Sequence, residues 1–167
     1  MELRQDDLII VEIDKSKLVT GLNTHNLCQL PYPNHPKGCP NYSVKKGCPP
    51  HVQRADRVFD LDKEMYMIGA RFDFGNHIEK MKDKHPDWSD RQLGCVLYWQ
   101  GTLRKRLKEV VADFLRGKPD LTVNFCPVAH GINMTGTMKN IGVELEWMPK
   151  KYSWCIAMVG HAQRLDD

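Results

Sequence analysis

The order of apolar and polar positions along the chain predicts alternating strands and helices. Leu8–Ile13 (LIIVEI) is apolar and β-branched, the pattern of a buried strand. A short strand is expected over 57–61, and 65–74 (MYMIGARFDF) alternates well enough for another. The stretch 76–84 predicts a helix ending before Pro86. Ser89 followed by Gln92 has the spacing of a capping box. Leu93, Val96, Leu97, Leu103, Leu107, Val110, Val111 and Phe114 then recur at helical intervals, predicting one long helix closed by Gly117 and Pro119. LTVNF at 121–125 reads as a strand, 130–140 as a helix, and 143–147 and 153–159 as closing strands. Strands and helices in this order imply a single α/β layered domain over 1–167, with a mixed sheet and flanking helices.

One segment does not fit either period. Between Gly21 and Pro50 the chain holds Pro31, Pro33, Pro36, Pro40, Pro49 and Pro50. Proline removes a backbone donor and breaks both helix and ladder. A structureless stretch of this length is unusual unless something functional orders it. The loop over 21–54 also contains Cys28, Cys39 and Cys48, half of the chain's six cysteines.

Composition restricts the reading further. The 167 residues are 41% hydrophobic and 27% charged, enough for a packed core. A net charge of +3 permits weak attraction to anions or RNA without demanding it. No run reaches membrane-spanning length, so no membrane role is expected. The opening MELRQDDLIIVEI lacks the basic start of a secretory signal, which places the protein in the cytoplasm, with reduced thiols. In that setting a cysteine cluster points to metal binding or catalysis rather than disulfides.

The three loop cysteines are separated by ten and eight residues. Zinc ribbons and fingers carry close pairs, two to four residues apart, and none occurs here. Three separated thiolates suit a [4Fe-4S] cluster with three protein-bound irons, and a zinc site is the alternative. Cys39 and Cys48 each lie between a glycine and a proline. Glycine lets the backbone pass close to a bulky centre, and proline stiffens the chain on the far side of the ligand. Lys37, Lys45 and Lys46 would offset thiolate charge. His25, His35 and His51 lie near enough in sequence to replace a cysteine as ligand. The competing reading is three unrelated loop cysteines, but a proline-rich loop offers little core in which to bury them.

The stretch CPNYSVKKGCPP, with HGINMTGTMKNIGVELEW much later in the chain, resembles a family of predicted metal-binding proteins of unknown function. The likeness covers 28–50 and 126–147 in the same order. It implies a cysteine-ligated iron–sulfur centre on Cys28, Cys39 and Cys48, extending less securely to Cys126. The family's further cysteine-rich stretch is replaced here by LTVNFCP, with Cys126 alone, which speaks against a second centre.

Cys126 and His130 form a second candidate patch, where a strand gives way to a helix, the usual ligand edge of an α/β sheet. Cys126 is a fourth cluster ligand or a nucleophile, and His130 an acid or base. The plainer alternatives are a buried strand-end cysteine and a surface histidine. Cys95 and Cys155 read as packing residues. The basic stretch 103–108 (LRKRLK) is a solvated helix face or an RNA or nucleotide contact.

Three functions are compatible with these features. One is a non-redox lyase or hydrolase using an open iron as Lewis acid on a small molecule or modified nucleobase. Another is a cluster- or zinc-stabilised binding or sensor module. A redox carrier is disfavoured, because no Cys-x-x-Cys pair is present.

Overall fold

A computed structural model describes residues 7–21, 24–32 and 35–164. Its centre is a four-stranded sheet of β1 (Leu8–Ile13), β2 (Met65–Asp73), β3 (Leu121–Asn124) and β4 (Tyr152–His161), in the order β1-β2-β4-β3. Every neighbouring pair is antiparallel, so the sheet is not mixed as expected. The α/β architecture itself is present. Parallel pairing needs a long crossover between spatial neighbours. Here β2 and β4 are far apart in sequence yet run in opposite directions.

The sheet is covered on both faces, and strand periodicity explains how. On β2, Met65 and Met67 point to one side, while Ile68, Ala70 and Phe72 reach the other. The first face packs Met65, Met67 and Met158 against Leu18, Phe59, Ile132 and Met138. The second packs Ile68, Ala157 and Val159 against Leu103, Leu107 and Val111 of α4 (Gln100–Leu115). Burial on both sides is why β2 reads as a nearly continuous apolar run. Each fully buried apolar side chain here contributes on the order of 1.5–3 kcal/mol.

The other helices are short. α1 (Ala55–Val58) replaces the strand expected over 57–61, and only Phe59 makes an isolated bridge, to Ala162. α2 (Phe74–Lys84) starts at Asp73, whose carboxylate accepts the Asn76 N–H at 3.0 Å. The long helix expected from Ser89 onward is divided. Gln92 Oε1 does accept the Ser89 N–H at 3.0 Å, but α3 (Asp90–Leu93) stops at Gly94. A 3₁₀ turn comes next over Val96–Tyr98, and α4 begins only after Trp99. Trp99 lies flat on Phe72, ring centres 4.8 Å apart. Seating that indole interrupts the helix and leaves Leu97 86% exposed despite its helical spacing.

After β3 comes a 3₁₀ turn at Pro127–His130, then Gly131 in the left-handed region, then α5 (Met134–Asn140). Residues 143–147 form no strand. Val143 and Leu145 do pack on the first core, so their alternation is real, but no strand lies beside them to complete a ladder. Glu146 instead accepts the backbone N–H groups of Lys150, Lys151 and Tyr152 and shapes the entry to β4. These bonds hold its carboxyl below the usual value. No described helix is long and apolar enough to cross a membrane.

Candidate metal centre

The described residues of the loop over 21–54 form turns and a 3₁₀ helix at Thr24–Gln29 rather than being structureless. Its anchoring begins just upstream. Asn133 donates its N–H to Val19 O at 2.8 Å, the Thr20 hydroxyl donates to Gly131 O at 2.9 Å, and Thr137 Oγ1 accepts the Val19 N–H at 3.0 Å. Gly136 is needed at this seam, because a Cβ there would sit 2.9 Å from Val19. The start of the cysteine loop is thereby held against α5 and the turn beyond Cys126.

Within the loop, Cys28 and Cys39 are joined through their backbones. Cys39 N–H donates to Cys28 O at 2.7 Å. Gly38 allows this approach: its φ is +80°, and a Cβ would meet Cys28 O at 2.7 Å and Gln29 C at 2.8 Å. Gly38 therefore passes close to the Cys28–Gln29 backbone, whereas Gly47 has nothing within 4 Å. Cys48 is placed by turns on either side. Its N–H bonds Lys45 O at 2.9 Å, its carbonyl accepts from His51 N–H at 3.0 Å, and Ser43 N–H bonds Pro49 O at 2.8 Å. The Pro49–Pro50 peptide is cis.

Cys28 feels three other thiols. Burial, and then the nearby thiols of Cys39, Cys48 and Cys126, push the Cys28 thiol above its usual range. Cys126 thus joins the three loop cysteines from a separate element. Its N–H is held by Asn124 Oδ1 at 2.7 Å. Cys126 is exposed, whereas the loop cysteines are half-buried, and none of the six cysteines is in a disulfide. Among the described residues, no three His, Cys, Asp or Glu side chains already form a site for a metal ion.

The histidines have other partners. His35 stacks on Tyr32 with ring centres 4.4 Å apart, and Tyr32 in turn bonds the Cys39 thiol. His51 Nε2 contacts Ser43 O at 3.0 Å. The His25 side chain lies outside the described part of the chain. His130 Nδ1 bonds Gln53 O at 2.7 Å, tying the turn after Cys126 to the end of the cysteine loop. No hydrogen bond joins His130 to Cys126 among the described residues. Lys37, Lys45 and Lys46 are exposed and make no ion pair among the described residues. Cys155 packs on the second core, where burial pushes its thiol up against the opposing pull of the Arg104 charge. Cys95 sits in the turn between α3 and α4.

Sequence reasoning missed a cavity of about 530 Å³ beside the cysteines. Cys28 and Cys39 stand in its wall with Tyr32, Asn133, Thr135 and Trp147. The signal available was the apolar set Leu27, Leu30, Val128 and Trp147, which no single periodicity groups. Of the basic stretch, Leu103 and Leu107 are buried, while Arg104, Lys105 and Lys108 are exposed. Neither protein-family models, nor curated proteins, nor solved structures match this chain.

Proposed function

We propose that this is an iron–sulfur protein in which Cys28, Cys39 and Cys48 bind three irons of a [4Fe-4S] cluster and the fourth iron faces Cys126. The observation that carries the reading is the backbone pairing of Cys39 with Cys28 at 2.7 Å, with both side chains in one cavity wall; Cys48 and Cys126 lie near enough to act on the Cys28 thiol. With His35 and His51 engaged elsewhere, the donors among the described residues are sulfur, which iron–sulfur clusters and zinc share.

Zinc and a cluster ask for different spacings of their sulfurs. Tetrahedral zinc, with Zn–S of about 2.3 Å, needs its sulfurs about 3.8 Å from one another. A cubane spreads its ligands over four irons and so accepts a wider group. The loop cysteines are separated by ten and eight residues, with no close pair of the zinc-finger kind, and this favours the cluster. Three exposed lysines nearby offset the negative charge of several thiolates.

The fourth position is distinct. Cys126 alone of the four is exposed, and it comes from the turn after β3 rather than from the loop. It therefore serves as a displaceable partner of the fourth iron. When that iron is open, it supplies Lewis-acid chemistry to a small molecule. His130 fastens the turn carrying Cys126 to the loop through Gln53 and so sets where that fourth position lies. This reading favours an enzyme of the lyase or hydrolase type over a sensor without catalysis.

The test is anaerobic reconstitution with iron and sulfide, then absorbance and Mössbauer spectra. Cys28→Ser, Cys39→Ser and Cys48→Ser each abolish the cluster, while Cys126→Ala retains it with one iron site changed. Stoichiometric zinc in the protein as purified, with no uptake of iron or sulfide, would sink the reading. Loss of the whole cluster in Cys126→Ala would turn the site into a four-cysteine centre without an open iron.

A further inference from the structure

The cavity beside the cysteines has a chemistry of its own. Of the eleven large apolar side chains that are exposed among the described residues, four line it: Leu27, Leu30, Val128 and Trp147. Exposed apolar surface concentrated around one concavity marks a binding site rather than random scatter. Its volume of about 530 Å³ falls within the range of small-molecule pockets. Among the described residues, no Asp, Glu, Lys or Arg lines it. A charged ligand would lose its hydration there without gaining a partner of opposite charge.

The polar groups in the wall are biased toward donating. Thr135 Oγ1 accepts the Trp147 Nε1–H at 3.0 Å, which leaves the threonine's own hydroxyl hydrogen to donate. Asn133 Oδ1 accepts the Gly136 N–H at 3.0 Å, which leaves the amide N–H₂ to donate. That cap also fixes which atom of the amide is oxygen. The aromatic rings of Tyr32 and Trp147 offer flat apolar surface, and Cys28 and Cys39 close another part of the wall.

We propose that this cavity binds a small, uncharged, flat molecule bearing a carbonyl-type acceptor. The acceptor takes hydrogen bonds from Thr135 and Asn133, the body lies among Leu27, Leu30 and Trp147, and one edge meets the Cys28–Cys39 side. Only the metal-facing edge of this proposal rests on the cluster reading; the ligand class comes from the wall.

The experiment is an NMR titration of the full chain, monitored at the Trp147 indole N–H, with iron and sulfide measured on the same samples. Coumarin is the neutral probe with a carbonyl acceptor. Naphthalene lacks the acceptor, and coumarin-3-carboxylate adds a negative charge. Coumarin shifts the Trp147 signal, and the carboxylate binds at least about tenfold more weakly. Thr135→Val weakens coumarin roughly three- to tenfold, the worth of one hydrogen bond, and leaves naphthalene unchanged. Val128→Trp, a substitution at an exposed position that narrows the mouth, abolishes both shifts while the circular dichroism melt is retained. Equal weakening of coumarin and naphthalene by Thr135→Val would mean that Trp147 has merely swung, and would overturn the donor argument. Equal affinity for the carboxylate would overturn the neutral class. A protein carrying a full cluster but giving no coumarin shift overturns this proposal alone. Coumarin binding in a chain that takes up no iron or sulfide upholds it and defeats the cluster reading.

Discussion

Gly38→Ala isolates the contact that brings two of the cysteines together. In the native loop Gly38 has φ +80°, a conformation that costs an alanine about 1–2 kcal/mol. The new methyl carbon would also stand 2.7 Å from Cys28 O, 2.8 Å from Gln29 C and 2.9 Å from Gln29 O. All three are backbone atoms, so no side chain can turn aside, and the segments 28–29 and 38–39 must separate. Separation breaks the 2.7 Å bond from Cys39 N–H to Cys28 O, a loss of about 1 kcal/mol. The sum is about 2–3 kcal/mol, concentrated where two sulfurs must hold their relative positions. The expected outcome is a sharp fall in iron and sulfide per chain after anaerobic reconstitution. The far-ultraviolet circular dichroism should stay native, because neither core cluster touches Gly38. Gly47→Ala is the matched control: nothing lies within 4 Å of its Cβ position, so iron and sulfide content should be unchanged. Full cluster content in Gly38→Ala, or equal loss in Gly47→Ala, would refute the reasoning.

Other expectations concern the frame that carries the site. Leu103→Ala removes a fully buried side chain between α4 and the sheet and should cost about 2–5 kcal/mol, read as a lower urea midpoint with unchanged slope. Cys155→Ala should cost about 1–2 kcal/mol through lost packing and leave iron content unaltered, separating it from the four cysteines proposed for the cluster. His77 packs against Phe72 and Phe74, and burial lowers its imidazole below the ordinary 6.5. Its neutral form is therefore favoured in the folded state. Stability is full above pH 6.5 and is lost as the pH falls from there through the lowered folded value. His77→Leu should flatten that part of a urea-midpoint profile. Glu146, held below the usual carboxyl range by three backbone N–H groups, should protect the Tyr152 amide from exchange at neutral pH. That protection is complete above the ordinary value of 4.5 and declines as the pH falls through the lowered folded value, whereas Glu146→Gln should show little pH dependence.

Much of the frame was written in local pattern. The apolar alternation of 65–73, the β-branched run of Leu8–Ile13 and the turn residues around β3 each specify a strand without reference to anything distant. In the cysteine segment the proline density does not exclude the 3₁₀ helix at Thr24–Gln29, while a glycine beside a thiol does make a close backbone pass at Gly38. What the pattern could not carry was anything decided by a partner. Residues 143–147 alternate like a strand but find no neighbour to pair with among the described residues, and 93–114 has helical spacing but breaks where Trp99 must lie on Phe72.

The same distinction governs the site. Composition and spacing by themselves placed Cys28, Cys39 and Cys48 in one proline-rich segment, and showed that the chain could make a sheet with helices on it. Only the tertiary structure brought Cys126 to them, by hanging the turn after β3 on Val19, Thr20 and Gln53. Only the tertiary structure, too, opened an uncharged cavity between the loop and α5. The reason is physical. Hydrophobic period and backbone restriction act within a few residues, whereas a site assembled across about a hundred residues depends on hydrogen bonds and packing that exist only after the chain has closed on itself.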